Sequence, residues 1–383
     1  MKGTKYTTGA ATNSKNLDRY AEGTPTMEWA DGAWVGPASG GRFVDLTSGL
    51  GAVILGHQDL AVDQAALEQL GIGVAFPIAT QLEETVARQL CDYLPWLGAQ
   101  KVRWSKNGRD ATAAAVRLAR AVTGGHTCVY CDYHGSDDQF LTEPPWNAGV
   151  PSWFAGYKGD VAAVHIPRHL LGQFLADEGD QVACVLLEPV ASNAPEEPAS
   201  IEFFAELRRQ CTEAGAMLII DEMVTFGRMP FGSGQAAFDI QPDLWVGGKC
   251  IANGLPLTAV VGPDEFMNRF AVDVFHSMTH AGECLSLAAA SATLKELVTR
   301  KPWFHCGALG TEIVQLFEEA GAEKRVRHAY PQRLMFDFTR AELGVLLKAG
   351  VLCAGYANLT LAHTEDEEAR ATLLAAFRTV LAK

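Results

Sequence analysis

A chain of 383 residues, 48% of them hydrophobic and 20% charged, can bury one large core and a smaller second one. Its formal charge of −14 repels phosphate backbones and no basic tract is interleaved with aromatics, which argues against general nucleic-acid binding. No apolar run approaches the ~18 residues of a membrane span, and the polar start MKGTKYTTGAATNSKN lacks an apolar signal core, so the expected compartment is the cytoplasm.

Residues 1–40 are rich in Gly, Thr and Pro and are expected to wrap a neighbouring surface. Gly41 to Leu46 reads as a short strand, followed by the glycine-rich turns Gly49-Leu50-Gly51 and Gly56-His57. Residues 60–70 and 79–93 carry helical periodicity, with Leu82, Val86 and Leu90 on one face. From about residue 100 apolar strands alternate with amphipathic helices. The strands are 101–104, 127–131, 182–187, 217–220, 244–246 and 258–261. The helices are 110–122, 201–214, 285–298 and 306–320. That alternation predicts an α/β fold, a mostly parallel sheet covered by helices. From about residue 300 a separate pattern, with a strand near 334–338 and a helix over 365–381, predicts a smaller α+β domain.

Nine scattered cysteines, an odd number, predict reduced thiols. Cys128 and Cys131 have metal or redox spacing, yet Thr127-Cys128-Val129-Tyr130-Cys131 reads as a strand with buried or half-buried thiols. His276 and His280 have helix-face spacing but lack the glutamate of a zinc-protease helix, so no metal is expected.

Two strand ends carry the chemistry. Ala216-Met217-Leu218-Ile219-Ile220 ends on Asp221, and Leu244-Trp245-Val246-Gly247-Gly248 ends on Lys249, 28 positions later. Ligands of open α/β sheets bind at the carboxyl ends of the strands. A lysine and an aspartate meeting there suit pyridoxal 5'-phosphate (PLP): the amine forms a Schiff base, and the carboxylate keeps the ring nitrogen protonated. The alternative is a buried structural ion pair. Asn107-Gly108-Arg109-Asp110 precedes the Ala-rich stretch Ala111 to Arg120, and a helix start there offers N–H groups and a positive dipole end to a phosphate. Asn107 or Asp110 capping the same helix is compatible with that role. Met223, two residues past Asp221, is expected on the same sheet face, beneath a bound ring.

Several segments together resemble the class III PLP-dependent aminotransferases, in the branch that includes glutamate-1-semialdehyde aminomutase. They are Asp221-Glu222-Met223-Val224-Thr225, Gln241-Pro242-Asp243-Leu244, Gly248-Lys249 and Asn253-Gly254, in that order. Ser105 to Ala111 resembles that branch's phosphate loop, and Tyr133-His134-Gly135, Glu188-Pro189 and Ser277 to Glu283 resemble further blocks. The likeness runs from about Asp18 to Thr364. It implies PLP fold type I, with a mostly parallel large domain and a smaller α+β domain. The expected boundaries are 1–47 for an N-terminal segment packing with the small domain, 48–299 for the PLP-binding domain and 300–383 for the small domain.

The resemblance also implies roles. Lys249 and Asp221 are catalytic, and Tyr133 stacks on the cofactor ring. Glu188 and Asn193 lie near the cofactor, Asn193 toward the ring hydroxyl. Thr279 reaches the phosphate from a neighbouring subunit, which implies a homodimer with shared sites; Glu283 suits the start of the following helix better than Thr279 does. Arg19 and His134 are candidates for the substrate. Two positions depart from the family: Arg109 replaces a Ser or Thr, and Phe226-Gly227 exchanges the order Gly-Phe before Arg228. Arg109 is left to pair with the phosphate or to face solvent. The expected reaction is amino transfer or an internal amino shift on a small amine, amino acid or amino-sugar-like substrate. A PLP-dependent decarboxylase or lyase and a non-catalytic homologue are the alternatives.

Overall fold

The computed structural model describes residues 10, 12–94, 100–141, 147–150, 163–193 and 199–382. The wrapping expected of the N-terminus falls in part on residues 1–9 and 11, outside the described residues. The chain divides into two compact units, Gln64–Val298 and Met1–Asp63 with Thr299–Lys383.

Among the described residues the larger unit holds a seven-stranded sheet. Its spatial order is Gln100–Ser105, Thr258–Pro263, Leu244–Gly247, Met217–Glu222, Val182–Leu187, Thr127–Tyr130, Ala163–His165. Thr258–Pro263 runs antiparallel to both of its neighbours, and every other pairing is parallel. Burial of both faces explains why the central strands read as unbroken apolar runs. Cys184, Leu186, Met217 and Ile219 pack on one side with Ala111, Ala114, Ala115 and Leu118 of the helix Gly108–Thr123. Val185, Leu187, Leu218 and Ile220 pack on the other side with Phe204 and Leu207 of Ile201–Glu213 and with Leu171 and Leu175 of Leu171–Glu178. The strand period of two thus sorts each run onto two helical layers. Ile219 is fully buried, and Ile219→Ala is expected to cost about 2–5 kcal/mol.

The helix Gly108–Thr123 sits close to the sheet because its inner face is alanine, the strongest helix former and the smallest side chain that can pack. It ends at Gly124, whose left-handed φ of 76° lets its N–H reach the Arg120 carbonyl.

The smaller unit has a four-stranded sheet ordered Trp29–Asp31, Trp34–Gly36, Phe43–Asp45, Val351–Leu352, and a three-stranded antiparallel sheet of Val326–Tyr330, Arg333–Phe336 and Tyr356–Asn358. Phe43–Asp45 lies parallel to Val351–Leu352, so the N-terminal segment is built into the same unit as the C-terminal one. Phe317, Phe336, Phe338 and Phe377 fill its core with stacked and tilted rings. No helix among the described residues is long and apolar enough to cross a membrane.

Candidate active site

The two central parallel strands of the large sheet end side by side. Their register pairs Asp221 with Val246 and Glu222 with Gly247, and Lys249 follows two residues later. Asp221 falls on the face of Met217 and Ile219, the side covered by Gly108–Thr123; Glu222 falls on the opposite face. There the Glu222 carboxylate accepts from the Gly234 N–H at 2.6 Å, the Gln235 N–H at 2.9 Å, the Thr225 hydroxyl at 2.8 Å and the Trp245 indole N–H at 3.3 Å. Burial still lifts the Glu222 carboxyl above its ordinary range against these four donors. Adjacent carboxylates therefore do different work, one anchoring the loop beyond the strand and one facing the site.

Asp221 is buried and takes two donors. The Met223 N–H meets Oδ1 at 2.9 Å, and Nδ1 of His134 lies 2.7 Å from Oδ2. The other ring nitrogen of His134 meets the Cys131 carbonyl, which can only accept. Both ring nitrogens therefore face acceptors, the pattern of an imidazolium. Burial opposes that charge, but the Asp221 hydrogen bond and its negative charge outweigh it and hold the His134 pKa above its ordinary value. His134 was expected to touch substrate. Its ring is instead buried and turned to Asp221, because the loop after Thr127–Tyr130 folds back over the strand end.

Met223, Gly108 and Gly248 converge. A Cβ at Gly248 would lie 2.8 Å from the Met223 sulfur and 2.5 Å from Thr258 Cγ2, and a Cβ at Gly108 would lie 3.4 Å from the same sulfur. Only glycine fits at 248, so the chain enters Lys249 tight against the Asp221 strand. Lys249 is half-buried and has a left-handed φ of 43°, which costs a non-glycine residue about 1–2 kcal/mol.

Asn107 is the N-cap of Gly108–Thr123 by position, but its side-chain amide donates to Asp110 at 2.9 Å and caps no helix N–H. The Thr112 hydroxyl donates to the His134 carbonyl at 3.0 Å, tying the helix's first turn to the Tyr133–His134 loop. Gly135, with φ 103°, lets that loop lie on the Arg109 backbone, 3.0 Å from Arg109 Cβ to the Cβ that glycine lacks. Arg109 is exposed, with its guanidinium 3.7 Å from Asp137 and 3.9 Å from Asp110. Tyr133 is 58% exposed, so its ring is open to a planar partner.

Glu188 is buried at the end of the neighbouring strand, and its carboxylate accepts from the Ser192 N–H at 3.3 Å and from the Ser192 hydroxyl. Burial, with the charges of Asp132 and Asp221, pushes the Glu188 pKa up to about 7. Asn193 follows Ser192 and is exposed. Thr279 is exposed in the turn before the helix Cys284–Arg300, and Glu283 accepts from the Leu285 N–H at 2.8 Å and the Ser286 N–H at 3.1 Å, as its position predicted. Residues 274–278 form neither helix nor strand, so His276 and His280 do not share a helix face; His276 Nε2 lies 2.9 Å from the Ser105 hydroxyl. Arg19 is exposed in the short turn Leu17–Arg19 of the smaller unit, and its assignment to a substrate carboxylate rests on the resemblance.

Sequence reasoning missed Asp132 and Arg168. Asp132 accepts from Arg168 at 2.6 Å and from the Glu188 N–H at 3.1 Å, while Arg168 also donates to the Glu188 carbonyl at 2.6 Å. This buried pair fixes the ends of two strands beside the site. The partners are 36 residues apart with no motif spacing, so only the fold brings them together.

Residues 20–329 match the family Aminotransferase class-III. The chain is 34% identical over 335 residues to the glutamate-1-semialdehyde 2,1-aminomutase of Herminiimonas arsenicoxydans, covering 84% of this chain and 77% of the relative. Its fold matches a glutamate-1-semialdehyde aminomutase from Pseudomonas aeruginosa PAO1 with a TM-score of 0.81 at 24% identity, over 96% of this chain and 89% of the other. An omega-transaminase from Sphaerobacter thermophilus gives a TM-score of 0.81 at 24% identity, over 95% and 92%. The chain belongs to the class III aminotransferases, PLP-dependent enzymes of fold type I with aminotransferase or aminomutase activity.

Proposed function

We propose that this chain relocates the amino group of a small amine or amino acid, with Lys249 as the covalent attachment point and proton carrier and Asp221 as the partner of the cofactor's ring nitrogen. One observation carries the reading: a buried carboxylate, already oriented by two donors, ends the strand paired in register with the strand that runs into Lys249. The residues present fit PLP. A helix start with Gly108 at its head suits the phosphate, and Met223 lies between Gly108 and Gly248, under the place for a ring. Bound PLP supplies a carbon that takes up an amine and a ring that accepts electrons.

The protein's own groups do the rest. Asp221 presents negative charge to the ring nitrogen, and His134 balances part of that charge and fixes the carboxylate's orientation. We assign His134 this positioning role in place of substrate contact. Tyr133 covers the ring, and Glu188 and Asn193 serve its hydroxyl side. Lys249 Nζ takes the proton from the substrate carbon that bears the amine and returns it to a different carbon. Asn107, Gly108 and Arg109 bind the phosphate from one subunit and Thr279 from the other.

The dimer is supported by exposed apolar side chains. Leu67, Leu70, Ile72, Phe76 and Ile78 are all exposed within one short stretch. That stretch adjoins the segment after Thr279, because the Cys284 N–H donates to the Val74 carbonyl at 2.8 Å. A second copy of this chain covers such a patch by self-complementary packing. All nine cysteines, each within the described residues, are free thiols, which supports cytoplasmic residence.

Purified protein mixed with PLP should gain a visible absorbance band, and borohydride should fix the cofactor on Lys249. Amine donors and α-amino acids are then screened against that band, with carbon dioxide monitored. Lys249→Ala should abolish turnover. A reduced adduct on another lysine, or carbon dioxide release as the main reaction, would overturn the reading.

A further inference from the structure

Lys106 immediately precedes the Asn107–Gly108 helix start, and its ammonium turns away from the place proposed for the phosphate. It donates to the Pro256 carbonyl at 2.8 Å, to the Ser286 hydroxyl at 3.1 Å and to the Glu283 carboxylate. An ammonium has three N–H donors, and these three acceptors use them all. Both side chains of the Lys106–Glu283 pair are largely buried, at 13% and 11% exposure. The partners come from two segments that matter. Pro256 lies between the turn Lys249–Ala252 and the strand Thr258–Pro263. Glu283 and Ser286 begin the helix that follows Thr279, and Glu283 also caps that helix. A second link supports the first, because the Thr258 hydroxyl donates to the Asn107 carbonyl at 3.1 Å.

We propose that Lys106 is a positioning residue for phosphate recognition, clamping the helix start at Asn107–Gly108 to the loop after Lys249 and to the helix after Thr279. With all three donors engaged, it does not bind the phosphate itself. It sets where the backbone N–H groups of the helix start stand relative to Lys249 of the same site, and it ties that helix start to the segment whose Thr279 serves the neighbouring subunit's site. Its effect must therefore be selective for the phosphate and not for the ring. This inference rests on the PLP reading above.

The test compares two probes on the cofactor-free protein: PLP and pyridoxal, which has the same ring and aldehyde but no phosphate. Both attach through Lys249, so Lys249 chemistry cancels. Lys106→Met should raise the PLP Kd by about tenfold, the equivalent of one weakened charge-assisted hydrogen bond at the anion, and change the pyridoxal Kd by less than about twofold. Glu283→Gln keeps an acceptor for the helix cap and removes the charge. It should act in the same direction more weakly, and it supplies the test if Lys106→Met does not fold. Combined with Lys106→Met it should add no further loss, because the two residues act as one unit. Equal weakening of both probes marks Lys106 as merely structural and overturns the proposal, as do additive losses in the double variant. A wild-type chain that takes up pyridoxal on Lys249 but shows no gain from the phosphate overturns this inference alone. One that takes up neither probe overturns the PLP reading with it.

Discussion

Replacing His134 by leucine tests whether the buried ring is an imidazolium paired with Asp221. The substitution removes two bonds: the charged contact to Asp221 Oδ2 at 2.7 Å and the contact to the Cys131 carbonyl. Both bonds come from the charged ring, and a hydrogen bond with a charged partner is worth about 1.5–3 kcal/mol, so the expected loss is about 3–6 kcal/mol. Asp221 would keep only the Met223 N–H at 2.9 Å, in agreement with the large cost of breaking a buried pair. The sign with pH follows from linkage. The His134 pKa is raised above its ordinary 6.5 in the folded chain. Its contribution is therefore fully present below about 6.5 and is lost as pH rises through the folded value. The stability gap between wild type and His134→Leu should be widest near pH 6 and narrower near pH 9. Scanning calorimetry of the cofactor-free proteins at one fixed concentration measures it. A gap that stays constant or widens with pH would refute the imidazolium assignment.

Asp221→Asn should keep the fold, weaken PLP binding by about 1.5–3 kcal/mol through loss of a charge-assisted bond, and slow the chemical step further; turnover at the wild-type rate would remove the ring-nitrogen role. For Glu188 the sign is opposite to that of most carboxylates. Its pKa is pushed from 4.5 to about 7, so the folded state holds the extra proton and stability falls as pH rises between those values. Glu188→Gln cannot lose a proton, and it should gain on wild type by roughly 3 kcal/mol between pH 4.5 and pH 8, read from urea unfolding midpoints. A gap that does not change with pH would refute the raised pKa. Thr279→Ala should weaken PLP retention by about 0.5–1.5 kcal/mol, and mixing it with a Lys249→Ala chain should restore activity, because one site of a mixed dimer then carries neither lesion. No recovery after subunit exchange, or a fully active monomer, excludes the shared site.

Much of the large unit was legible because its signals are local. The strand predicted at 182–187 occupies Val182–Leu187, and the one predicted at 217–220 runs on to Glu222, since an apolar run bounded by polar turns marks a buried strand wherever it lies. Asp221 and Lys249 were found the same way, as charges at the ends of such runs. What stayed hidden depends on distant partners. Ala163–His165 is only three residues long and pairs at the sheet edge, too short to show a period. The reversal of Thr258–Pro263 has no sequence mark, because a buried strand looks alike in either direction. His134 was a substrate candidate through the resemblance alone, and nothing in its sequence neighbourhood marks its ring as buried. Only the fold shows successive side chains parting, Tyr133 outward and His134 down onto Asp221.

The exchange of Phe226 and Gly227 takes on physical sense from what lies beneath Lys249. Gly227 has a left-handed φ of 73°, and a Cβ there would stand 3.1 Å from the Cys250 sulfur. Cys250 follows Lys249 directly and contacts the Phe226 carbonyl at 2.7 Å. Phe226 is fully buried, its ring 5.4 Å from Trp245 and 5.1 Å from Tyr93. Trp245 in turn donates to Glu222, the neighbour of Asp221. The loop after the Asp221 strand thus forms a packed floor under the Lys249 turn. A left-handed lysine persists only where its surroundings over-determine it, and here Gly248 is hemmed in by Met223 and Thr258 while Cys250 rests on the Phe226–Gly227 corner. The exchanged pair is part of that support. Its consequence falls on how firmly Lys249 is presented to the cofactor, through backbone and packing, and needs no contact with the substrate.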